Sequence, residues 1–495
     1  MSIDADQPTI SVVLHKRIER RNGVAQRVSG SKRRIDLTPY LGQSTRVTTR
    51  KSVREPAGSF SIVVPDQVAV GVGSVTDSLV GVVEPMDFVE IRMARKSFEY
   101  GGGDGYLPII MRGFVSNVRR VETVINDKPR RDLVITGFDY GLIPKRYIIY
   151  PRANYQNGTD YLAAFPLHAS GIDASYLEAN EWMSKLVALM NGWLSRMVAF
   201  TQYTAAVGGS GFLPMIDLDA SVQGAVSPYP MQQWSNSLAG LMNTYADLAW
   251  NELFIEDRYA GPTLVYRPIP FVDINGDSIQ GVPFPLLRDL DQTPLVLTDA
   301  EMVSIDMSRS DTDVSNFFLV LPSASDLTDP SVSISAALSG QIGGSPLQSD
   351  NPDNDPDLYG LRPIEVQSTH IAPGYAGRKH LADQDEAERT DYQKSLSGWL
   401  ADRRSTLRAM NEDNALFESG TLTVRGSELL RPGNYLTLKR GALVSRAYVH
   451  CVEHEFIPFQ RYTSKLYVDR GTGFLVRTQQ NGSPAYLEGA RGPYS

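Results

Sequence analysis

The sequence has one cysteine, Cys451, among 495 residues, which excludes intramolecular disulfides and a zinc site made of cysteines alone. No apolar run reaches the roughly 18 residues that a membrane-spanning helix needs. The nearest, residues 186–200, is interrupted by Asn191, Gly192 and Arg196. No apolar stretch follows basic residues near the start, so no secretory signal is visible. These absences predict a soluble protein without a membrane anchor.

Motifs typical of enzymes are missing or incomplete. Neither G-x-x-x-x-G-K-[ST] nor G-x-S-x-G occurs, so phosphate-binding loops and hydrolase nucleophiles lack support. His450 and His454 fit the zinc-peptidase pattern H-x-x-E-H, which requires both histidines on one helical face. The surrounding residues alternate as in a strand, where positions four apart lie about 13 Å from each other and cannot share one ion. The alternation predicts one strand face made of Tyr448, His450, Val452, His454 and Phe456.

Acidic residues form three further clusters. Residues 353–357 and 273–277 resemble the opening of a calcium loop but lack its glycine at position 6 and its glutamate at position 12. Asp311 and Asp313 are two apart, so on a strand they would project from one side, as a glycosidase's carboxylate pair requires. Solvated loops and interface acids are the favoured interpretation of all three, and we predict no metal, cofactor or catalytic residue.

Charge is unevenly distributed along the chain. Residues 1–150 hold 23 Lys and Arg against 16 Asp and Glu, a balance of +7, and the net charge of −8 therefore leaves −15 for the remainder. Opposite signs suit subunits that dock head to tail. Basic clusters such as 32–34 lack interleaved aromatics, so they indicate a docking face for acidic subunits more than a nucleic-acid site.

The hydrophobic pattern divides the chain into β-rich and helical regions. Asn22-Gly23 between two strand-like runs predicts a hairpin. Apolar residues at helical spacing predict helices over about 178–201, 232–250 and 383–410, the first with a Trp- and Met-rich core stripe. The predicted domains are 1–150, a first tube-like β-barrel; 151–250, a helical insertion; 251–325, a β or mixed domain; 326–410, an acidic linker and helix; 411–478, a second tube-like β-barrel; and 479–495, a tail.

The two β-rich regions match each other in order. The matched pairs are GSFSIVV (58–64) with SGTLTVRG (419–426), PMDFVEIRMA (85–94) with PGNYLTLKRG (432–441), RGFVSNVRRVETV (112–124) with RAYVHCVEHEFI (446–457), and RRDLVITGFDYG (130–141) with YTSKLYVDRGTG (462–473). Each match is weak alone, but the ordered set predicts a duplication. Three chains with two copies each would present six similar units around a ring, which lets a three-fold object dock onto a six-fold one.

Several segments resemble baseplate (tail) hub proteins of contractile-tailed bacteriophages, related to the hub part of type VI secretion spike proteins. These segments are VEPMDFVEIRMA, MRGFVSNVRRV, LVITGFDYGLIPKRYIIY, WNELFIED, LVYRPIPF, SRSDTDVSNFFLVLP, YGLR and GTLTVRGSELLRPGNYLTL with the strands after it. The most characteristic run places Asp311 and Asp313 before Val314-x-Asn316-x-Phe318. No family pattern is evident in 151–249 or the acidic linker.

The resemblance implies a mainly β fold with α insertions (α+β): two tube-like barrels and a helical insertion in a homotrimeric ring. That ring would be a non-enzymatic structural adaptor between the hexameric tail tube protein and the three-fold central spike protein. Baseplate wedge proteins would lie outside it and the tape measure protein is a further candidate partner. Genome DNA would pass through without specific binding. The implied location is the phage tail baseplate of the virion, assembled in the bacterial host cytoplasm.

Three alternatives stay open: a cell-wall-degrading hub enzyme with zinc-peptidase or glycosidase activity, the hub of a tailocin or secretion particle, and the hub of a long non-contractile tail. Interface roles are expected for two sets of residues. One set forms the matching turns, and the other precedes the strand of the characteristic run. They are Pro85, Asp87, Pro432, Gly433 and Asn434, and Asp311, Asp313 and Asn316.

Overall fold

The computed structural model describes residues 6–16, 18–21, 24–27, 34–42, 44–66, 78–101, 107–125, 128–149, 175–198, 214–227, 236–322, 347–348, 351–378, 385–441 and 443–479. The fold is mostly β, as the sequence predicted. The predicted domain boundaries, the two barrels and the ring stay predictions at this point.

Nine strands belong to the first β-rich region. They are β1 Thr9–His15, β2 Ile18–Arg21, β3 Val24–Arg27, β4 Arg34–Asp36, β5 Arg46–Ser52, β6 Ser59–Pro65, β7 Phe88–Ala94, β8 Ile109–Ile125 and β9 Lys128–Asp139. Strands β2 and β3 pair with Arg21 opposite Val24, so the hairpin prediction is confirmed. Its turn residues, Asn22 and Gly23, lie outside the described residues.

The remaining strands follow in the middle and the C-terminal part. They are β10 Leu177–Glu178, β11 Asp217–Ala220, β12 Ala225–Val226, β13 Asn251–Asp257, β14 Pro262–Pro268, β15 Val296–Thr298, β16 Met302–Ser308, β17 Phe317–Pro322, β18 Leu347–Gln348, β19 Pro363–Ser368, β20 His370–Ile371, β21 Glu418–Arg425, β22 Asn434–Arg440, β23 Leu443–Ile457 and β24 Arg461–Gly471.

One large sheet contains strands from both ends of the chain. Its 13 strands follow the order β16-β21-β24-β23-β5-β6-β9-β8-β7-β1-β4, with β22 pairing β23 and β15 pairing β22 off this path. Smaller sheets have the orders β10-β12-β20, β11-β14-β13, β18-β17-β19 and β2-β3. In the large sheet, β15 and β16 from the middle of the chain therefore join strands from its two ends.

Seven α-helices are described: α1 Leu79–Val82, α2 Leu142–Arg146, α3 Ala179–Val198, α4 Leu238–Tyr245, α5 Pro356–Tyr359, α6 Glu386–Asn411 and α7 Gly473–Gln479. Of the predicted helix over 232–250, the described residues form a shorter one, Leu238–Tyr245, and 232–235 lie outside the described residues. Ser237 caps the start of α4 by accepting a hydrogen bond from the Gly240 N–H, and Asp247, at φ 52°, ends the helical path in a turn.

Helices α3 and α6 match their predicted positions closely. In α3, Trp182, Leu186 and Met190 are buried in one hydrophobic core, so the stripe is core as predicted. In α6, Asp385 and Glu388 form a capping box, which fixes where the helix begins. No helix among the described residues is both long and apolar enough to cross a membrane.

Candidate functional site

One pattern of strands occurs twice in the 13-stranded sheet. The first set has the order β5-β6-β9-β8-β7-β1, and the second set has the order β16-β21-β24-β23-β22-β15. Neighbouring strands are antiparallel in both sets, except that β15 runs parallel to β22. The four strand pairs matched in the sequence occupy the same places in the two orders. The strand order therefore repeats as a duplication predicts.

A β-bulge marks the same place in both sets. In β8 it falls at Ser116, between the pairs Val115–Gly137 and Asn117–Thr136. In β23 it falls at His450, between the pairs Val449–Val468 and Cys451–Tyr467. A bulge adds one residue to one strand and reverses the side-chain alternation beyond it. The two bulges therefore fix which residues of the two sets are equivalent.

Matching turns precede the equivalent strands β7 and β22. The Met86 N–H donates to the carbonyl oxygen of Val115, and the Gly433 N–H donates to that of Val449. Both residues have positive φ angles, 70° and 81°. The predicted Pro85-Met86-Asp87 and Pro432-Gly433-Asn434 turns thus share this hydrogen bond and a positive φ at the central residue, and an interface role for them stays a prediction.

The predicted turn residues differ in exposure. Pro85 is exposed and Pro432 and Asn434 are half-buried, whereas Asp87 and Gly433 are buried. The Asp87 carboxylate lies 3.5 Å from Nζ of Lys16 and accepts from the Glu84 N–H. Asp87 is thereby held within its own strand set.

The two strand sets join edge to edge through β5 and β23. The antiparallel pairing runs from Ser52 opposite Cys451 to Val47 opposite Phe456. On one edge of β23, residues up to Val449 pair with β22, and residues from Cys451 onward pair with β5. We call this contact the junction. It makes one continuous sheet of the two sets.

Ion pairs accompany the junction on its exposed side. Nε of Arg46 lies 2.6 Å from Glu455, and Arg50 lies 3.9 Å from Glu453. Such partly exposed pairs contribute at most about 1 kcal/mol each, so they favour the correct partner strand more than they stabilise the junction. The junction is held together by the backbone hydrogen bonds between β5 and β23.

Side chains on that side of the sheet form a polar face shared by both strand sets. The opposite side carries the apolar side chains of the core, such as Val47, Ile62 and Leu466. One row across the polar face follows the register through Asn117, Thr136, Ser61, Thr48, Glu455, Thr463 and Arg425. A second row passes through Ser59, Arg50, Glu453, Lys465 and Thr423. The face is rich in Ser and Thr and carries charges of both signs.

A buried ionic cluster links the junction to the middle of the chain. Nζ of Lys51, on β5, lies 3.3 Å from a carboxylate oxygen of Asp139 and 2.5 Å from one of Asp257, on β13. Burial opposes the charged form of Lys51, but the two carboxylates outweigh it and raise its pKa. Burial raises the pKa of Asp139 although Lys51 acts in the opposite direction. The cluster holds β5 against β13.

Asp311 and Asp313 lie in a single 3-10 turn, Asp311–Asp313, and not on a strand as the glycosidase hypothesis required. Both are exposed, and the Asp311 carboxylate lies 3.2 Å from Nη2 of Arg362. Asn316 is fully buried: its Nδ2 donates to the Gly360 carbonyl, and its Oδ1 accepts from the Arg362 N–H. Asn316 therefore fastens the YGLR segment to β17.

His450 and His454 lie on a strand, as predicted, but not on one continuous face. The bulge at His450 reverses the alternation, so Val449 and Val452 share a core that does not include Tyr448. Nδ1 of His454 lies 2.8 Å from Oγ of Ser464, and burial lowers the pKa of His454 to about 4. His454 is a buried structural side chain.

Carboxylates of the two acidic loops accept hydrogen bonds from backbone N–H groups of the same loops. Asp355 accepts from the Asp357 N–H at the start of α5, and Asp273 accepts from the N–H groups of Asn275 and Asp277. Within the described ranges, no group of three or more His, Cys, Asp or Glu side chains converges as a metal site would require.

A buried cluster that the sequence did not indicate contains Ser368, His370 and Asp247, the residue types of a hydrolase triad. The Ser368 hydroxyl donates to Asp247, however, and Nε2 of His370 faces the Tyr245 carbonyl and the Tyr266 hydroxyl. A nucleophilic serine needs the histidine as its base. The three side chains are buried, and the hydrogen bonds of Asp247 to Ser368 and Thr369 link the end of α4 to the chain between β19 and β20.

Solved structures of low sequence identity are similar to this chain over most of its length. A tail protein from Neisseria meningitidis MC58 is 12% identical, with 94% of this chain and 98% of that chain covered and a TM-score of 0.45. The 43 kDa tail protein of prophage MuSo2 from Shewanella oneidensis is 9% identical, with 93% and 96% covered and a TM-score of 0.45.

A third structure is an E. coli type VI secretion component, described as similar to the T4 tail proteins gp27 and gp5. It is 7% identical, with 86% of this chain and 72% of that chain covered and a TM-score of 0.35. No family model and no curated protein matches the chain. The three structures are two tail proteins and a type VI secretion component, the kinds of protein that the sequence resembles.

Proposed function

We propose that this chain is the non-enzymatic structural hub of a phage tail baseplate, in which three copies form a ring of six similar strand sets. The junction between β5 and β23 is the observation that carries the proposal, because one strand set is joined there to the next, edge to edge. Three chains arranged in this manner have exact three-fold and approximate six-fold symmetry.

Such a ring suits a position between parts of different symmetry. Its six strand sets would meet the hexameric tail tube protein, and its three-fold repeat would meet the central spike protein. Baseplate wedge proteins would contact the outside, with the tape measure protein as a further partner. Each symmetric partner then binds equivalent surfaces at every contact.

The polar face is our candidate for the surface that lines the channel. Arg50, Glu453 and Lys465 stand in one row, so charges of both signs alternate across it. A surface of mixed sign neither concentrates nor strongly repels a polyanion. DNA would therefore pass without specific binding.

Interface roles are assigned within this ring to the residues singled out in the sequence. The exposed Pro85, Asp311 and Asp313 would contact neighbouring proteins directly, and Pro432 and Asn434 would do so in part. The buried Asp87, Gly433 and Asn316 would act by holding the turns and the YGLR segment in shape. Deleting either matching turn should then weaken trimer and tube binding.

Oligomeric state and particle shape test the proposal. Light scattering of the purified chain should give three chain masses, and negative-stain averages should show a three-fold ring with a channel and six similar lobes. Compact single chains without a channel would contradict it. Bound zinc, or lysis of peptidoglycan by the chain, would favour the cell-wall-degrading hub enzyme instead.

A further inference from the structure

Among the strand edges of the 13-stranded sheet that have no strand partner in the described residues, two belong to strands equivalent to those of the junction. One is the outer edge of β16, the last strand of the second set. The other lies on β8 beyond Phe114, on the side away from β9, because β7 pairs only with the part of β8 from Ile109 to Phe114. Unpaired N–H and C=O groups along such an edge can bind another strand.

The equivalent edge of the second set is already covered. β23 corresponds to β8, and its edge beyond Tyr448 is paired with β5 in the junction. β5 in turn corresponds to β16, since β5 pairs with β6 just as β16 pairs with β21. The junction is thus an example, within one chain, of the strand pairing that is missing at the free edges of β16 and β8.

We propose that β16 of one copy of this chain pairs antiparallel with β8 of the next copy, in the register of the junction. The inference rests on the proposed ring and names the surface that joins its subunits. It commits to a second copy as the partner because every copy carries both of the edges that this pairing would join, one on β16 at an end of the sheet and one on β8 within it.

The register follows from the bulges and ladders. Counting from the bulge, Arg119 in β8 is equivalent to Glu453 in β23. Ser308 is equivalent to Arg50, because Ser308 pairs with Ser419 as Arg50 pairs with Ser59. Glu453 lies opposite Arg50 in the junction, so Arg119 of one copy lies opposite Ser308 of the next.

The positions of charged side chains agree with this register, although they play no part in its derivation. Arg119 and Asp306 are exposed and have no ion-pair partner among the described residues, and the register makes them diagonal neighbours across the two strands. The contact would therefore bring two exposed side chains of opposite charge together.

Paired cysteines test the register directly. Residues opposite each other in an antiparallel pair have Cβ atoms about 4.5–5.5 Å apart, close enough for a disulfide after a small shift. The full chain carrying Arg119→Cys with Ser308→Cys should form, on mild oxidation, covalent species of two and three chain masses that a reductant removes. The native Cys451 is 1% exposed and does not compete.

Two matched variants serve as controls. Arg119→Cys with Met307→Cys moves one thiol to the opposite face of β16 and should stay at one chain mass. Arg50→Cys with Glu453→Cys is the equivalent pair in the junction and should oxidise within one chain without a change of mass.

The outcomes separate the inference from the proposed function. Three-fold rings whose Arg119→Cys, Ser308→Cys variant cross-links no more than the Met307 control would overturn the inference and leave the hub proposal standing. Single chains in solution with no covalent oligomer would overturn both. In rings, Asp306→Arg should weaken subunit association about fivefold per contact, and adding Arg119→Glu should restore it.

Discussion

Met86 and Gly433 occupy equivalent positions and share a left-handed backbone, with φ angles of 70° and 81°. Each donates its N–H to a valine carbonyl next to a β-bulge. Because one residue is a methionine and the other a glycine, the side chain is not what the two sets share. The shared feature is the backbone turn.

Gly433→Ala should lower the free energy of unfolding by about 2 kcal/mol. A Cβ atom there would lie 2.8 Å from Nη2 of Arg267 and 3.0 Å from the Phe254 ring, in a backbone that already disfavours alanine. Gly281→Ala is the matched control, since its φ is 68° and no atom lies within 4 Å of the added Cβ. Urea unfolding should show the smaller loss at 281, and equal losses would contradict the crowding argument.

Lys51→Met should destabilise the protein by about 3 kcal/mol at pH 7, because it leaves Asp139 and Asp257 buried without their cation. The raised pKa of Asp139 sets the direction with pH. Protonation neutralises the orphaned Asp139 carboxylate as the pH falls, so the difference in stability from wild type should shrink toward acid.

Adding Asp139→Asn to Lys51→Met is the control for this charge effect. Removal of one buried charge should recover part of the lost stability at pH 7 while the variant keeps the amide acceptor for the Gly141 N–H. Denaturant unfolding at pH 7 and pH 5 measures both differences. No recovery in the double variant would mean that Lys51 acts through packing of its side chain.

Local patterns account for what the sequence predicted correctly. The alternating apolar residues of β6, β7, β8 and β9 and of their counterparts identified the strands and their repeated order, because alternation and turn residues act over a few neighbours. The stripe of Trp182, Leu186 and Met190 identified its helix for the same reason.

Long-range pairing explains what the sequence did not reveal. The junction joins β5 to β23 across most of the chain, and no local signal distinguishes it from any other strand contact. The bulge at His450 reversed the predicted face because a single added residue changes the alternation. Asp247 ended α4 early through a left-handed backbone that composition does not indicate.

Asn316→Ala should lower the free energy of unfolding by about 2 kcal/mol, since it removes both hydrogen bonds of a buried side chain and leaves the Gly360 carbonyl and the Arg362 N–H without their side-chain partner. Hydrogen exchange at the Arg362 amide should accelerate in the folded state. Asn414→Ala, which removes an exposed bond to the Asp313 carbonyl, is the milder comparison. Unchanged exchange at Arg362 would argue against the fastening role.

The unfolding free energy should fall as the pH drops from 6.5 toward 4, partly because of His454. Burial lowers the pKa of His454 to about 4, against an ordinary value of 6.5. Between these pH values His454 is protonated in the unfolded chain but stays neutral in the folded chain. Its contribution to stability is therefore fully present above pH 6.5 and is lost as the pH falls toward 4. At about 1.4 kcal/mol per pKa unit, this histidine accounts for roughly 3 kcal/mol at most.

His454→Asn removes this titration while it keeps a polar atom near Ser464, so its stability should vary less with pH than that of wild type. Ser464→Ala is the matched control: it removes the hydrogen bond to Nδ1 but leaves the imidazole, and its pH dependence should stay steep. Denaturant unfolding at pH 7.5 and pH 4.5 compares the three proteins. Burial also lowers the pKa of His15 to about 4, so the stability of every variant should still decrease somewhat as the pH falls. Parallel profiles for His454→Asn and wild type would show that the buried imidazole does not resist protonation.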